Sequence, residues 1–174
     1  MRHIRRGGRY FRIADPAWED PLDASYSMAH GGRWNPPGAF PVLYLNRDVQ
    51  TSRANLNRRF AGRPYGPEML DPALAPLLIE TTVGSRNFVD AVTDDGCLEL
   101  GLPATYPLDE GGREVGWDRC QPIGLDAWRA GEAGIACRSA AMPDRIGDGL
   151  AVFRRSGDRA LRVVARLSFT EWFR

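Results

Sequence analysis

The block "GGRWNPPG" at 31–38 constrains this chain more than any other stretch. Two prolines fix φ and remove backbone donors, so the segment fits neither a helix interior nor a sheet interior. The apolar run "PVLYLN" at 41–46 follows at once. A stiff turn feeding a buried strand is therefore predicted, with an arginine and a tryptophan held inside it. Two roles are open for that turn. Gly31 and Gly32 can let the backbone come close to a ligand while Arg33 reaches its phosphates and Pro36, Pro37 and Gly38 stiffen the approach. Alternatively, Arg33 caps a turn through carbonyl contacts and Trp34 plugs the core.

The 174 residues make one domain's worth of chain, enough to bury a core. No apolar run reaches the length of a membrane span, and the basic N-terminus lacks the apolar segment of a signal peptide, so the cytoplasm is expected. Net charge is +1, which gives no electrostatic case for direct nucleic-acid binding. All 23 basic residues are arginine, which removes lysine Schiff-base chemistry and a phosphate-loop lysine. Cys97, Cys120 and Cys137 form no CxxC pair, and with only His3 and His30 to help, a metal site is not expected.

Local patterns predict strands at 9–14, 41–46, 77–84, 133–140, 149–155 and 160–169, with 86–92 continuing or pairing with the third. Helices are predicted at 47–62, with Asp48 as N-cap and Gly62 as stop, and at 120–131. Residues 15–38 read as a loop, 63–76 as a proline-broken linker and 93–118 as mostly irregular. Strands outnumber helices without regular alternation. The class is α+β, with mixed or antiparallel sheets and flanking helices, not a doubly wound parallel sheet.

The chain has no G-x-S-x-G, phosphate loop, H-E-x-x-H or dinucleotide glycine fingerprint, and two histidines at 3 and 30 make a Ser-His-Asp triad hard to build. What remains is a set of polar groups beside strands: Arg12, Arg33, Trp34, Tyr44, Asn55 and Ser139. Singly, each has an ordinary structural role. Together, "GGRWNPPG" followed by "LYL" and a helix, with "QPIGLDAW" and "GIACRSA" further on, resemble the RES-domain family over about 10–153. One RES-like domain over 1–174 is then expected.

The resemblance implies an ADP-ribosyltransferase-like fold and a toxin of a toxin–antitoxin pair. Such a toxin consumes NAD+ as substrate, by hydrolysis or phosphorolysis, or transfers ADP-ribose to protein, and needs no separate cofactor. Its partner would be an Xre-type antitoxin. By the same resemblance Arg33, Tyr44 and Ser139 match motif positions, and Arg12 matches a first-strand arginine. Arg12 and Arg33 would hold the pyrophosphate beside Gly32 and Trp34. Tyr44 would stack on nicotinamide or position its ribose, and Ser139 would hydrogen-bond the substrate.

The family's glutamate falls eleven residues after its tyrosine, which here is Asn55. Asp48 is seven residues earlier, roughly 10 Å along a helix axis. Breaking a nicotinamide–ribose bond builds positive charge on the ribose, and a carboxylate stabilises it. An amide lacks that charge. An active enzyme, a weakened one and a domain that binds a nucleotide or protein partner without turnover all remain open at this point.

Overall fold

The computed structural model describes residues 1–142, 147–157 and 159–174. In chain order the elements are β1 (His3–Ala14), α1 (Ser25–His30), β2 (Val42–Asn46), α2 (Val49–Phe60), β3 (Leu77–Ala91) and α3 (Asp94–Glu99). They continue with α4 (Trp117–Arg129), β4 (Gly134–Arg138), β5 (Asp148–Phe153), β6 (Leu161–Leu167) and α5 (Phe169–Trp172).

The strands form one mixed sheet in the order β1-β2-β5-β4-β3-β6, and β1 also pairs with β3. That second pairing closes the first five strands into a ring and leaves β6 on the outer side of β3. Only β3 and β4 run parallel; the other pairs are antiparallel. The architecture is α+β, as the pattern of elements predicted.

Several boundaries differ from the sequence reading. β1 begins at His3 rather than 9, because "HIRR" pairs with the far half of β3, from His3↔Val89 to Arg6↔Arg86. The run His-Ile-Arg-Arg-Gly-Gly has a single apolar residue and no alternation, so only tertiary pairing reveals the strand. Segments 77–84 and 86–92 are one continuous strand, bent opposite the bulge between Arg6 and Gly8. Helix α1 lies inside the predicted loop and α3 inside the predicted irregular stretch. For α3 the missed signal was local: the Thr93 side chain caps Gly96 N–H at 3.0 Å, with Asp94 and Asp95 in the first turn. Helix α4 starts at Trp117, three residues before its predicted start, and carries Pro122 in its second turn, where the missing N–H removes one helical hydrogen bond.

Three apolar clusters hold these elements. One lies on a common face of the ring strands and contains Tyr10, Leu43, Ile79, Phe88 and Val152. The opposite face packs Trp34, Phe40, Ala151 and Phe153 against Tyr106 and α4. A third joins α2, through Leu56, to Phe11, Leu78 and the α5 residues Phe169 and Trp172. Burying each such large side chain stabilises the fold by about 1.5–3 kcal/mol. As predicted, Asp48 caps α2, accepting from Thr51 N–H at 2.7 Å. Among the described residues no helix is long and apolar enough to cross a membrane.

Candidate functional site

The rigid turn is organised around the Tyr44 hydroxyl. It donates to Asn35 Oδ1 at 2.8 Å and accepts from the Trp34 backbone N–H at 3.0 Å. Asn35 is fully buried, and its Nδ2 donates to the Ser27 and Phe40 carbonyls at 2.7 and 3.1 Å. Burial raises the Tyr44 phenol above its ordinary value, so the hydroxyl stays protonated. A Cβ on Gly32 would lie 2.5 Å from the Tyr44 hydroxyl oxygen, so the close approach that requires this glycine is to the tyrosine ring.

Trp34 is fully buried and tilts against Tyr106 with ring centroids 6.0 Å apart. Its indole is buried in the core, and the residue also lines the cleft described below. Helix α4 docks on the same backbone. A Cβ on Gly124 would overlap the Trp34 carbonyl oxygen at 1.7 Å.

Arg33 points across to the loop before α4. Its Nη1 donates to the Val115 carbonyl at 2.8 Å, and its Nη2 pairs with the Glu114 carboxylate. The other Glu114 oxygen pairs with Arg58 of α2. The guanidinium thus makes the carbonyl contact foreseen for a turn-capping role, but to a segment more than eighty residues away, and Glu114 bridges two arginines of the cleft.

Asn55 and Ser139 meet. Asn55 Nδ2 lies 3.3 Å from Ser139 Oγ, 2.9 Å from Asn46 Oδ1 and 3.1 Å from the Thr51 carbonyl. A backbone carbonyl can only accept, so the amide nitrogen belongs on that side. The Asn46 amide and the Ser139 hydroxyl can each donate as well as accept, so of the three partners only the Thr51 carbonyl demands a donor from residue 55. Asp48 does not substitute for a carboxylate here, because its side chain is committed to the α2 N-cap.

Arg12 is buried, with 8% of its surface exposed. Its Nη2 donates to the Asp23 carbonyl at 2.6 Å, and its guanidinium sits 5.0 Å from the centre of the Trp18 ring. Its Nη1 is buried without a hydrogen-bond partner, and no ion pair to it is seen among the described residues. Burial lowers its pKa to about 10, so it remains a cation at neutral pH.

These side chains line one cleft of about 860 Å³. Arg12, Gly32, Arg33, Tyr44, Asn55 and Ser139 all border it, and so do Asn46, Arg58 and Arg59. The last three were absent from the sequence reading, although spacing could have found them. Asn46 is two residues beyond Tyr44 on the same strand face, and Arg58 and Arg59 are one helical turn beyond Asn55. Glu114 had no such signal, since a loop brings it in. Cys137 also borders the cleft, but burial pushes its thiol up to about 12, which makes it a poor nucleophile. Among the described residues no cluster of His, Cys, Asp and Glu could hold a metal ion.

A groove lined by five arginines and two aspartates suits an anionic ligand of dinucleotide size. The fold is similar to that of a chain in the crystal structure of the Mycobacterium tuberculosis MbcT-MbcA toxin-antitoxin complex. The TM-score is 0.76 at 24% identity, covering 95% of this chain and 86% of the other. At that identity the likeness establishes the fold. In sequence, the chain is 28% identical over 113 residues to proteins named NAD(+) phosphorylase MbcT from Mycobacterium bovis and Mycobacterium tuberculosis. The match covers 64% of this chain and only 57% of those relatives' length. The RES domain model matches residues 9–173, further toward the C-terminus than the 10–153 expected, and takes in β6 and α5. With nearly its whole length inside that match, the chain belongs to the RES domain family.

Proposed function

We propose that this chain is a RES-type toxin that cleaves the nicotinamide–ribose bond of NAD+. The observation that carries the reading is the convergence of Arg12, Arg33, Tyr44, Asn55 and Ser139, from five separate segments, on one cleft. The similarity to proteins named NAD(+) phosphorylase supports the same chemistry.

In this reading Arg12 and Arg33 hold the diphosphate. Arg12 has an unpartnered donor available, whereas Arg33 must share or exchange its Glu114 contact. Tyr44, fixed by the turn, sets the position of the nicotinamide-bearing ribose. Asn55 and Ser139 hydrogen-bond the ribose hydroxyls. Nicotinamide leaves as a neutral molecule with the electrons of the C–N bond, so no general acid is needed. Water or phosphate then attacks the ribose carbon, and phosphate attack would match the named activity of the relatives.

The partner in this reading is an antitoxin of Xre type, and the work is done in the cytoplasm, where NAD+ is drawn upon. Tyr26, Leu74 and Trp117, all at the rim of the cleft and at least half exposed, offer apolar surface to such a partner.

The test is to incubate the purified protein with NAD+, with and without phosphate, and to measure nicotinamide release. Release that needs phosphate identifies phosphorolysis; release without it identifies hydrolysis. Arg33→Ala is expected to lower the rate by a hundredfold or more, the scale of losing one electrostatic group of an active site. Full activity in that variant overturns the assignment. A second reading, a domain that binds without turnover, is favoured by one specific observation: the side chain at 55 carries no charge.

A further inference from the structure

We infer that Tyr26 and Trp18 form a nucleobase platform at one end of this cleft. The chain then reads the adenine end of NAD+ by stacking and prefers the dinucleotide to nicotinamide mononucleotide. The inference rests on the reading of the cleft as a dinucleotide site and adds to it where the base lies.

Tyr26 borders the cleft yet is 60% exposed, and α1, which carries it, buries none of its residues. A ring left so open contributes little to the core. Its orientation is nevertheless fixed. His30, one turn on, stacks against it with centroids 4.3 Å apart and planes 23° apart. His30 Nδ1 also donates to the Tyr26 carbonyl at 3.1 Å. Trp18 lies beside Tyr26 with ring centroids 6.4 Å apart, and the Arg12 guanidinium sits 5.0 Å from the Trp18 ring centre. Two rings held this way, both bordering the cleft, offer a flat base a surface that needs no reordering.

The neighbouring cations place this platform at one end of a diphosphate. Arg59 lies one helical turn beyond Asn55, roughly 6 Å along α2. Partial desolvation lowers the Arg59 pKa and the Tyr26 phenol offsets part of that effect, so the two side chains are neighbours. Arg12 and Arg59 are within electrostatic reach of each other. The cleft therefore runs from Ser139 and Asn55, through Arg59 and Arg12, to Tyr26 and Trp18. NAD+ carries its groups in the same order: nicotinamide riboside, diphosphate, adenosine. Trp117 is also half exposed at the cleft, but it follows Glu114 by three residues, and that carboxylate already bridges Arg33 and Arg58. A base stacked there would set its phosphates beside arginines that have a partner.

Two measurements test the platform, each on the unaltered chain, Tyr26→Ala and Tyr26→Phe. The first is the ratio of kcat/KM for NAD+ to that for nicotinamide mononucleotide, which lacks the adenosine phosphate half, read as nicotinamide release with phosphate present. Tyr26→Ala is expected to lower that ratio about tenfold, the scale of one stacked base, through KM rather than kcat. Tyr26→Phe keeps the ring and should hold the ratio within about twofold. The second is calorimetric titration of ADP-ribose, which needs no turnover. Tyr26→Ala should weaken its binding about tenfold, and Tyr26→Phe should restore it. A ratio or an affinity unmoved by Tyr26→Ala overturns the inference, as does Tyr26→Phe behaving like Tyr26→Ala. If neither substrate releases nicotinamide, the cleavage reading falls while the ADP-ribose titration still decides the platform. Failure of the unaltered chain to bind ADP-ribose removes the platform outright.

Discussion

Arg12 and Arg138 border the same cleft and are buried to nearly the same degree, at 8% and 5% exposure, yet their surroundings differ in kind. Arg138, at the end of β4, donates to the carbonyls of Val92, Ala104 and Tyr106 at 2.7–2.8 Å and pairs with Asp94 at 2.5 Å. It ties three loop carbonyls to the sheet, which is structural work. Arg12, at the end of β1, satisfies one carbonyl and leaves one buried nitrogen without a partner. A buried cation with all its donors matched is held by the fold. One with a donor unmatched costs the fold stability, and a ligand can repay the difference. The two ends of the cleft thus divide into a scaffold side and a binding side.

Three measurements can break or sharpen that division. The largest expected effect is on folding. Arg138→Met strands three acceptors that the guanidinium now satisfies, so unfolding free energy in urea should fall by about 3 kcal/mol or more. A loss below about 1 kcal/mol would erase the contrast. Next, Arg12→Met should change stability by no more than about 1 kcal/mol, because it removes an imperfectly paired buried charge. The same variant should weaken ADP-ribose about tenfold, the scale of one charge-assisted hydrogen bond. Unchanged affinity would place the binding side elsewhere.

The smallest effect is in pH. Burial lowers the Arg12 pKa to about 10, so in the ligand-free protein the cation persists through neutrality and is lost as pH rises past that value. The affinity gap between the unaltered chain and Arg12→Met should therefore be constant from pH 6 to 9 and narrow above about 10. A gap that grows with pH would contradict the assignment.

Much of the site was legible locally. The turn at 31–38, the cap at Asp48 and the alternation of β2 each follow from backbone restriction and side-chain periodicity, which act over a few residues. So does the absence of charge at position 55. The same rules missed the first half of β1, whose arginines carry no apolar pattern, and α3, whose start is a single threonine cap.

By itself the sequence determined the α+β class, the stiff entry to β2 and the chemical types available: many guanidiniums, few other ionisable groups of use, and an amide where a carboxylate would matter. Tertiary structure alone decided which arginines are free. Glu114 reaches Arg33 and Arg58 only because the loop before α4 folds over the turn. Arg138 is fully matched only because three distant carbonyls converge on it. Charge is a property of a residue, whereas its availability depends on partners that chain closure brings from far away.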